Sequence, residues 1–259
     1  MTKARRGATD LCGVIAVDKP EGMTSHDVVD ALRRLTGEGR IGHAGTLDPM
    51  ATGLLLVCIG PAARLSELLM AGDKVYQARI RFGAATDTDD AQGVVIASAP
   101  LVAKLSDEQF ALEVLAGFLG AQEQLPPRFA AIKKDGQKAY VAARKGLDLE
   151  LEPRTITVHG LRLLEVGAEH WDVEACVSKG AYIRALARDI GEAVGSKAHL
   201  ASLRRLSCGT VTLAQAHTLK ELEQAVAVGG RGIKALFLDL QTDLGITQEL
   251  LPEGLRNAL

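Results

Sequence analysis

Leu54 to Ile59, LLLVCI, is a wholly apolar run of the kind that forms a buried strand, and it constrains the chain more than any other stretch. The segment before it, Arg40 to Gly53, reads RIGHAGTLDPMATG. Gly42 and Gly45 let the backbone turn where a Cβ would clash, and Pro49 biases Asp48 away from helical dihedrals. The expected arrangement is a Gly-rich loop that presents the Asp48 carboxylate, with His43 and Thr46 nearby, at the entrance to a rigid strand. Taken alone, Asp48-Pro49 is equally the signature of a plain turn.

Composition narrows the function classes. The chain has 259 residues, 47% of them hydrophobic, enough for a large core in one domain or slightly more. With 30 Lys and Arg against 32 Asp and Glu, no global basic bias advertises nucleic acid, so any such surface must be local. Cys12, Cys58, Cys176 and Cys208 are far apart and form no Cys-x-x-Cys pair, which reads as buried free thiols and no metal site. The apolar run that ends at Asp18-Lys19 is too short and wrongly flanked for a signal peptide, and no stretch approaches the roughly 20 apolar residues of a membrane span. A cytoplasmic protein is expected.

In chain order, Gly13 to Val17 reads as a strand, followed by a turn over Asp18 to Gly22 and a helix capped by Thr24 and Ser25 that Gly37 ends. Gly37 to Gly42 formally matches G-x-G-x-x-G, but a dinucleotide site needs a strand before the glycines and a helix after them, the reverse of this order. Arg64 to Met70 reads as a helix, and Lys74 to Phe82 alternates as a half-buried strand with Tyr76, Ala78 and Ile80 on one face. Asp87 to Gly93 fails as a calcium loop because Gln92 and Ser98 occupy the positions that need Gly and Glu, and it reads as a turn. Ser106 to Gln109 is a capping box opening a helix to about Leu119, Thr155 to Val166 and Trp171 to Ser178 are strands, and Tyr182 to Ala193 is a helix. The tail from Lys220 is helix-like, then loop-like.

Two basic groups stand out. Arg128, Lys133, Lys134, Lys138, Arg144 and Lys145 face only Asp135, and so sharp a bias raises phosphate contact as a function for the segment 124–154. Lys179, Arg184, Arg188, Lys197, Arg204 and Arg205 surround the 182–193 helix and what is read as the loop after it.

Five motifs then occur in order: Asp18-Lys19-Pro20-x-Gly22-x-Thr24-Ser25; Gly42-His43-x-Gly45-x-Leu47-Asp48-Pro49-x-Ala51-x-Gly53; Asp73-Lys74-x-Tyr76; Gly180-x-Tyr182-Ile183-Arg184; and Leu203-Arg204-Arg205. Together they resemble the bacterial tRNA pseudouridine-55 synthases of the TruB family, over about Gly13 to Gly209. Periodicity alone supports only a mixed α/β domain. The resemblance implies an α+β fold with a mixed, largely antiparallel central sheet, flanking helices and an RNA-binding cleft. It also implies a catalytic domain over 1–215 and, at 216–259, a C-terminal helix with the start of a truncated or absent PUA-type domain.

The implied reaction isomerises uridine 55 in the T arm of tRNA to pseudouridine. Substrate and product are isomers, so no cofactor is expected; the implied partner is the tRNA T stem-loop, with no membrane, and the protein is expected to act as a monomer. Asp48 would be the catalytic carboxylate, as nucleophile at C1′ or as base on a sugar proton, both of which stay open. Burial would raise its pKa, and Arg184 is the cation expected to offset this, oriented by Asp90. Tyr76 would stack on the flipped uracil, Tyr182 and Leu203 would line the pocket, and His43 would sit near the departed base. Lys19 would buttress the cleft or touch phosphate. The plainer alternatives are a core Tyr76 and Leu203, a backbone-bonded His43, a phosphate-binding Arg184 and a surface Lys19. Phe129 and Ala130 stand where Tyr and Ser are expected, which removes any hydroxyl contact there. An RNA-binding or RNA-folding module with little turnover is the competing function, although pure binding gives no reason for a carboxylate among phosphates.

Overall fold

The computed structural model describes residues 9–130, 132–134, 137–138 and 151–247. In chain order the strands and α-helices are β1 (Gly13–Lys19), α1 (Ser25–Thr36), β2 (Ile41–Ala44), β3 (Thr52–Ile59), α2 (Ser66–Met70), β4 (Lys74–Phe82), β5 (Ala84–Thr86), β6 (Val95–Ser98), α3 (Glu108–Ala116) and β7 (Gly120–Gln124). There follow β8 (Lys133–Lys134), β9 (Gln137–Lys138), β10 (Arg154–Val166), β11 (His170–Val177), α4 (Ile183–Ala193), β12 (Ala198–Cys208), β13 (Val211–Thr212), α5 (Leu219–Ala227) and α6 (Gly230–Lys234). Contacts divide the chain into two compact units, Met1–Lys74 with Arg204–Leu259, and Val75–Leu203, so the chain passes from one to the other within β4 and back within β12.

The first unit is built on β3, whose apolar run is buried from Gly53 to Ile59 as its composition requires. β1 pairs antiparallel along one edge, from Gly13 opposite Ile59 to Lys19 opposite Gly53. The other edge is shared: β2 runs antiparallel along Leu56 to Ile59, and Arg204-Arg205 of β12 pair parallel with Thr52-Gly53. Here a glycine is obligatory. Gly53 has φ +96°, and a Cβ on it would lie 2.3 Å from the Arg205 carbonyl oxygen. Val14, Ala16, Leu54, Leu56, Cys58, Leu65 and Val211 form part of the unit's core. α1 begins with a capping box between Thr24 and Asp27 and turns Val28, Val29 and Leu32 inward.

In the second unit the strand order is β4, β11, β10, β7, with β11 and β7 antiparallel to β10. Tyr76, Ala78, Ile80 and Phe82 of β4 are buried while Gln77, Arg79 and Arg81 are exposed, the period-two pattern read from the sequence. Trp171 is fully buried, donates from Nε1 to the Leu105 carbonyl at 2.7 Å and meets Phe82 edge-on, with ring centroids 4.9 Å apart. β3 runs parallel to β12, while β1 and β2 run antiparallel to β3, β7 and β11 to β10, β13 to β12, β6 to β5 and β9 to β8, in keeping with a mixed, largely antiparallel α/β fold.

Several local expectations change. Gly42 and His43 lie in β2, not in a loop, because their backbone pairs with Cys58 and Val57; the turn starts at Gly45, with φ +90°. The stretch 198–208, read as a loop, is a strand. The helix expected over Arg64 to Met70 is a 3-10 segment, Gly60–Leu65, that passes into α2. The cap of α3 is Asp107, accepting from the Phe110 N–H, and the helix stops at Ala116 before Gly117.

Candidate active site

The Asp48 loop, residues 45–51, is held from several sides by its own unit. The Ser25 hydroxyl, on the first residue of α1, accepts from the Leu47 N–H at 2.8 Å and donates to the Leu47 carbonyl at 3.1 Å. Beyond Asp48, the Pro49 carbonyl accepts from the Gly22 N–H at 2.8 Å and from Lys19 Nζ at 3.4 Å. Lys19 also donates to the carbonyls of Pro20 and Met23, at 2.9 and 2.6 Å, so its ammonium spans the turn after β1 and the Asp48 loop. Arg205 donates to Leu54 at 2.6 Å and to the Gly45 carbonyl at 3.1 Å, from beneath the start of the loop. The Ala51 N–H closes the turn on the Asp48 carbonyl at 3.0 Å. Leu47, Met50 and Ala51 are buried and Asp48 is half-buried, so the anchors fix the residues around the carboxylate.

Charge follows burial. Lys19 is 0% exposed, which excludes a surface lysine at the strand end. Burial lowers its pKa to about 8, against the opposing pull of the Asp48 and Glu21 carboxylates, and Arg205 adds to the lowering. Burial also lowers the pKa of His43, with His26 and Arg205 acting in the same direction, which keeps the imidazole neutral at physiological pH. His43 Nδ1 is buried and has no hydrogen-bond partner among the described residues.

In the second unit, Arg184 and Asp90 form a buried pair, each 5% exposed, with Nε 3.8 Å from Oδ2. Arg184 also donates to the Thr88 carbonyl at 2.9 Å and the Phe129 carbonyl at 3.2 Å. Residues 87–90 form the expected turn, in which Asp87 accepts from the Val94 N–H and Asp90 from the Gln92 N–H and the Thr88 hydroxyl. Tyr182 precedes α4 without a side-chain cap; the buried Gln124 amide takes its place, accepting from the Tyr182 N–H at 2.8 Å and donating to its carbonyl at 3.1 Å. Tyr76 and Leu203 are buried in β4 and β12. The second basic group is largely spent internally: Arg188 on Asp89 and Asp189, Arg204 on Asp18, Lys197 on Glu192, with Arg205 1% exposed. Of the first basic segment Arg128 is exposed, while the side chains of Lys133, Lys134, Lys138, Arg144 and Lys145 lie outside the described residues.

Sequence reading missed three anchors. The local pattern makes Ser25 a cap, Arg205 part of a loop and Gln124 the start of an irregular segment. Only the presence of Ser25 in the first of the five motifs and of Arg205 in the last points toward a role beyond local structure. Among the described residues, no group of three His, Cys, Asp or Glu could hold a metal ion, and no helix is long and apolar enough to cross a membrane.

The model of the TruB family pseudouridylate synthase N-terminal domain matches residues 33–183, more than half of the chain. The chain belongs to the TruB family. The tRNA pseudouridylate synthase B C-terminal domain model matches the adjoining residues 184–239. TruB relatives include the tRNA pseudouridine synthase B of Azoarcus sp. strain BH72, 44% identical over 85% of this chain and 73% of that protein. That of Bordetella pertussis strain Tohama I is 41% identical over 85% of this chain and 90% of its own. Among solved structures, a Cbf5-Nop10-Gar1 complex contains a chain with TM-score 0.64 and 27% identity, over 95% of this chain and 59% of that one. An H/ACA RNP bound to a substrate RNA containing 2′-deoxyuridine gives TM-score 0.61 and 26% identity, over 95% and 58%. As a TruB pseudouridine synthase the protein is an isomerase.

Proposed function

We propose that this TruB family member converts uridine 55 in the T arm of tRNA to pseudouridine, with Asp48 as the catalytic carboxylate. The relatives' name, tRNA pseudouridine synthase B, supports tRNA as substrate. The observation that carries the assignment of Asp48 is its mounting: Ser25, Lys19 and Arg205 hold Leu47, Pro49 and Gly45, on either side of a carboxylate that needs fixed placement. A plain surface turn gives no reason to bury a lysine and an arginine beneath it.

The chemistry breaks the N1–C1′ bond, rotates the uracil and joins C5 to C1′; the C5 proton leaves and N1, freed from the sugar, takes up a proton, so that the product is an isomer of the substrate. Asp48 acts at the sugar, as nucleophile at C1′ or as base on a sugar proton. The ionised form of Asp48 is the working one, and Arg184, held by Asp90, is the second residue assigned to the reaction. Unstacking the target costs a few kcal/mol, and Tyr76 stacking on the uracil, with Tyr182 and Leu203 around it, offsets that cost. His43, whose pKa burial lowers, is assigned a place near the departed base.

The test is an unmodified tRNA transcript incubated with protein, followed by mapping of pseudouridine. Product at position 55 with the parent and none with Asp48→Asn is expected, while both bind tRNA. Product elsewhere would refute the site specificity, and turnover by Asp48→Asn would refute the role of Asp48.

A further inference from the structure

Two consecutive acids of the 87–90 turn face two arginines one helical turn apart on α4: Asp90 meets Arg184, and Asp89 meets Arg188, with Asp89 Oδ2 accepting from Arg188 Nη1 at 3.0 Å. Asp89 is the residue between the two that touch Arg184, since the Thr88 carbonyl and the Asp90 carboxylate flank it. Its backbone has φ +60°, the only positive φ of a non-glycine residue among those described. Aspartate tolerates that conformation when its side chain bonds the local backbone, as the carboxylates of Asp87 and Asp90 do. The Asp89 carboxylate goes instead to Arg188, so what stabilises the strained residue is the helix. Arg188 is itself fixed, donating from Nε to Asp189 at 2.9 Å and from Nη2 to the Leu125 carbonyl at 2.8 Å. The Asp89 carbonyl, for its part, accepts from the Leu200 N–H at 3.0 Å.

We infer that the Asp89–Arg188 pair is a positioning device for Arg184: it locks the turn against α4 so that Thr88 and Asp90 hold the guanidinium in its working orientation. The inference rests on the assignment of Arg184 to the reaction made above. Burial raises the Asp89 carboxyl above the usual range, opposed by Arg188 and Arg184 and reinforced by Asp189, so the pair is a built and partly desolvated feature of the unit.

Asp89→Asn keeps a residue that accepts left-handed φ and removes only the charge; Arg188→Gln removes the charge from the other side. Single-turnover pseudouridine formation on tRNA transcript, normalised to the folded fraction, is measured for both single variants and their combination, beside tRNA affinity. Each single variant is expected to lose about tenfold in the catalytic step with affinity unchanged, and the double variant to lose no more than either, because both act through one contact. Single variants within about twofold of the parent, a loss confined to affinity, or losses that multiply in the double variant would each overturn the inference. Asp48→Asn, run in parallel, separates the two readings. If it turns over, the proposed site fails; if it is inactive while Asp89→Asn and Arg188→Gln match the parent, only the positioning role fails.

Discussion

The Ser25 hydroxyl holds both backbone polar atoms of Leu47, accepting from its N–H at 2.8 Å and donating to its carbonyl at 3.1 Å. A residue that opens a helix thus fixes the residue immediately before Asp48. Ser25→Ala removes both bonds and leaves a buried N–H and carbonyl unsatisfied, which costs about 1–3 kcal/mol. The expected result is a lower melting temperature together with a roughly tenfold slower catalytic step, read by calorimetry and by single-turnover assay. A full rate in Ser25→Ala would remove Leu47 anchoring from the account.

Lys19 makes the alkaline limb of the rate testable. Its ammonium has three N–H groups for the carbonyls of Pro20, Met23 and Pro49, and the neutral amine has two. With its folded pKa lowered to about 8 from 10.5, the unfolded state binds more protons in that window, so stability rises with pH there. Positioning runs the other way. The rate is expected to fall as pH rises through about 8, and Lys19→Met is expected to be slow with that limb missing, as a rate profile from about pH 7 to about pH 9.5 would show.

Gly53 tests the junction of β3 with β12. A Cβ there meets the Arg205 backbone at 2.3 Å and must also adopt φ +96°, so Gly53→Ala forces the strands apart. A loss of more than about 3 kcal/mol is expected in urea unfolding. A near-neutral value would mean that β12 does not depend on this close approach.

Glu38 governs acid stability. It is fully buried, and burial by itself would raise its pKa, but hydrogen bonds from Arg40 and Thr9 outweigh this and lower it to about 2. Because the folded pKa is depressed, its contribution is present above the ordinary value of 4.5 and is lost as pH falls toward 2. Glu38→Gln is expected to cost roughly 2 kcal/mol near neutrality, with the deficit narrowing between about pH 5 and about pH 2, as denaturation at both ends would reveal.

What could be read from the chain was local. β4 follows from strict alternation, the body of β3 from an unbroken apolar run, and α1 from its cap, its apolar spacing and Gly37. The 87–90 turn was legible because its acids bond within a few residues of themselves. β2 escaped because two glycines in a short stretch look like a turn until Cys58 and Val57 lie opposite them. Nothing in the local pattern of Ala198 to Cys208 distinguishes a strand, since its buried and half-exposed residues alternate poorly.

The order of five short motifs, each a few residues of backbone chemistry, was determined by the sequence alone, and with it the family and the choice of Asp48. Tertiary structure decided what those motifs do for one another. Arg205 reaches the Gly45 carbonyl 160 residues away, Ser25 closes on Leu47 across 22, and Gln124 caps Tyr182 across 58. Such contacts satisfy buried polar groups that local structure leaves unpaired, and which distant side chain satisfies them depends on how strands pair, a property no window of the sequence contains.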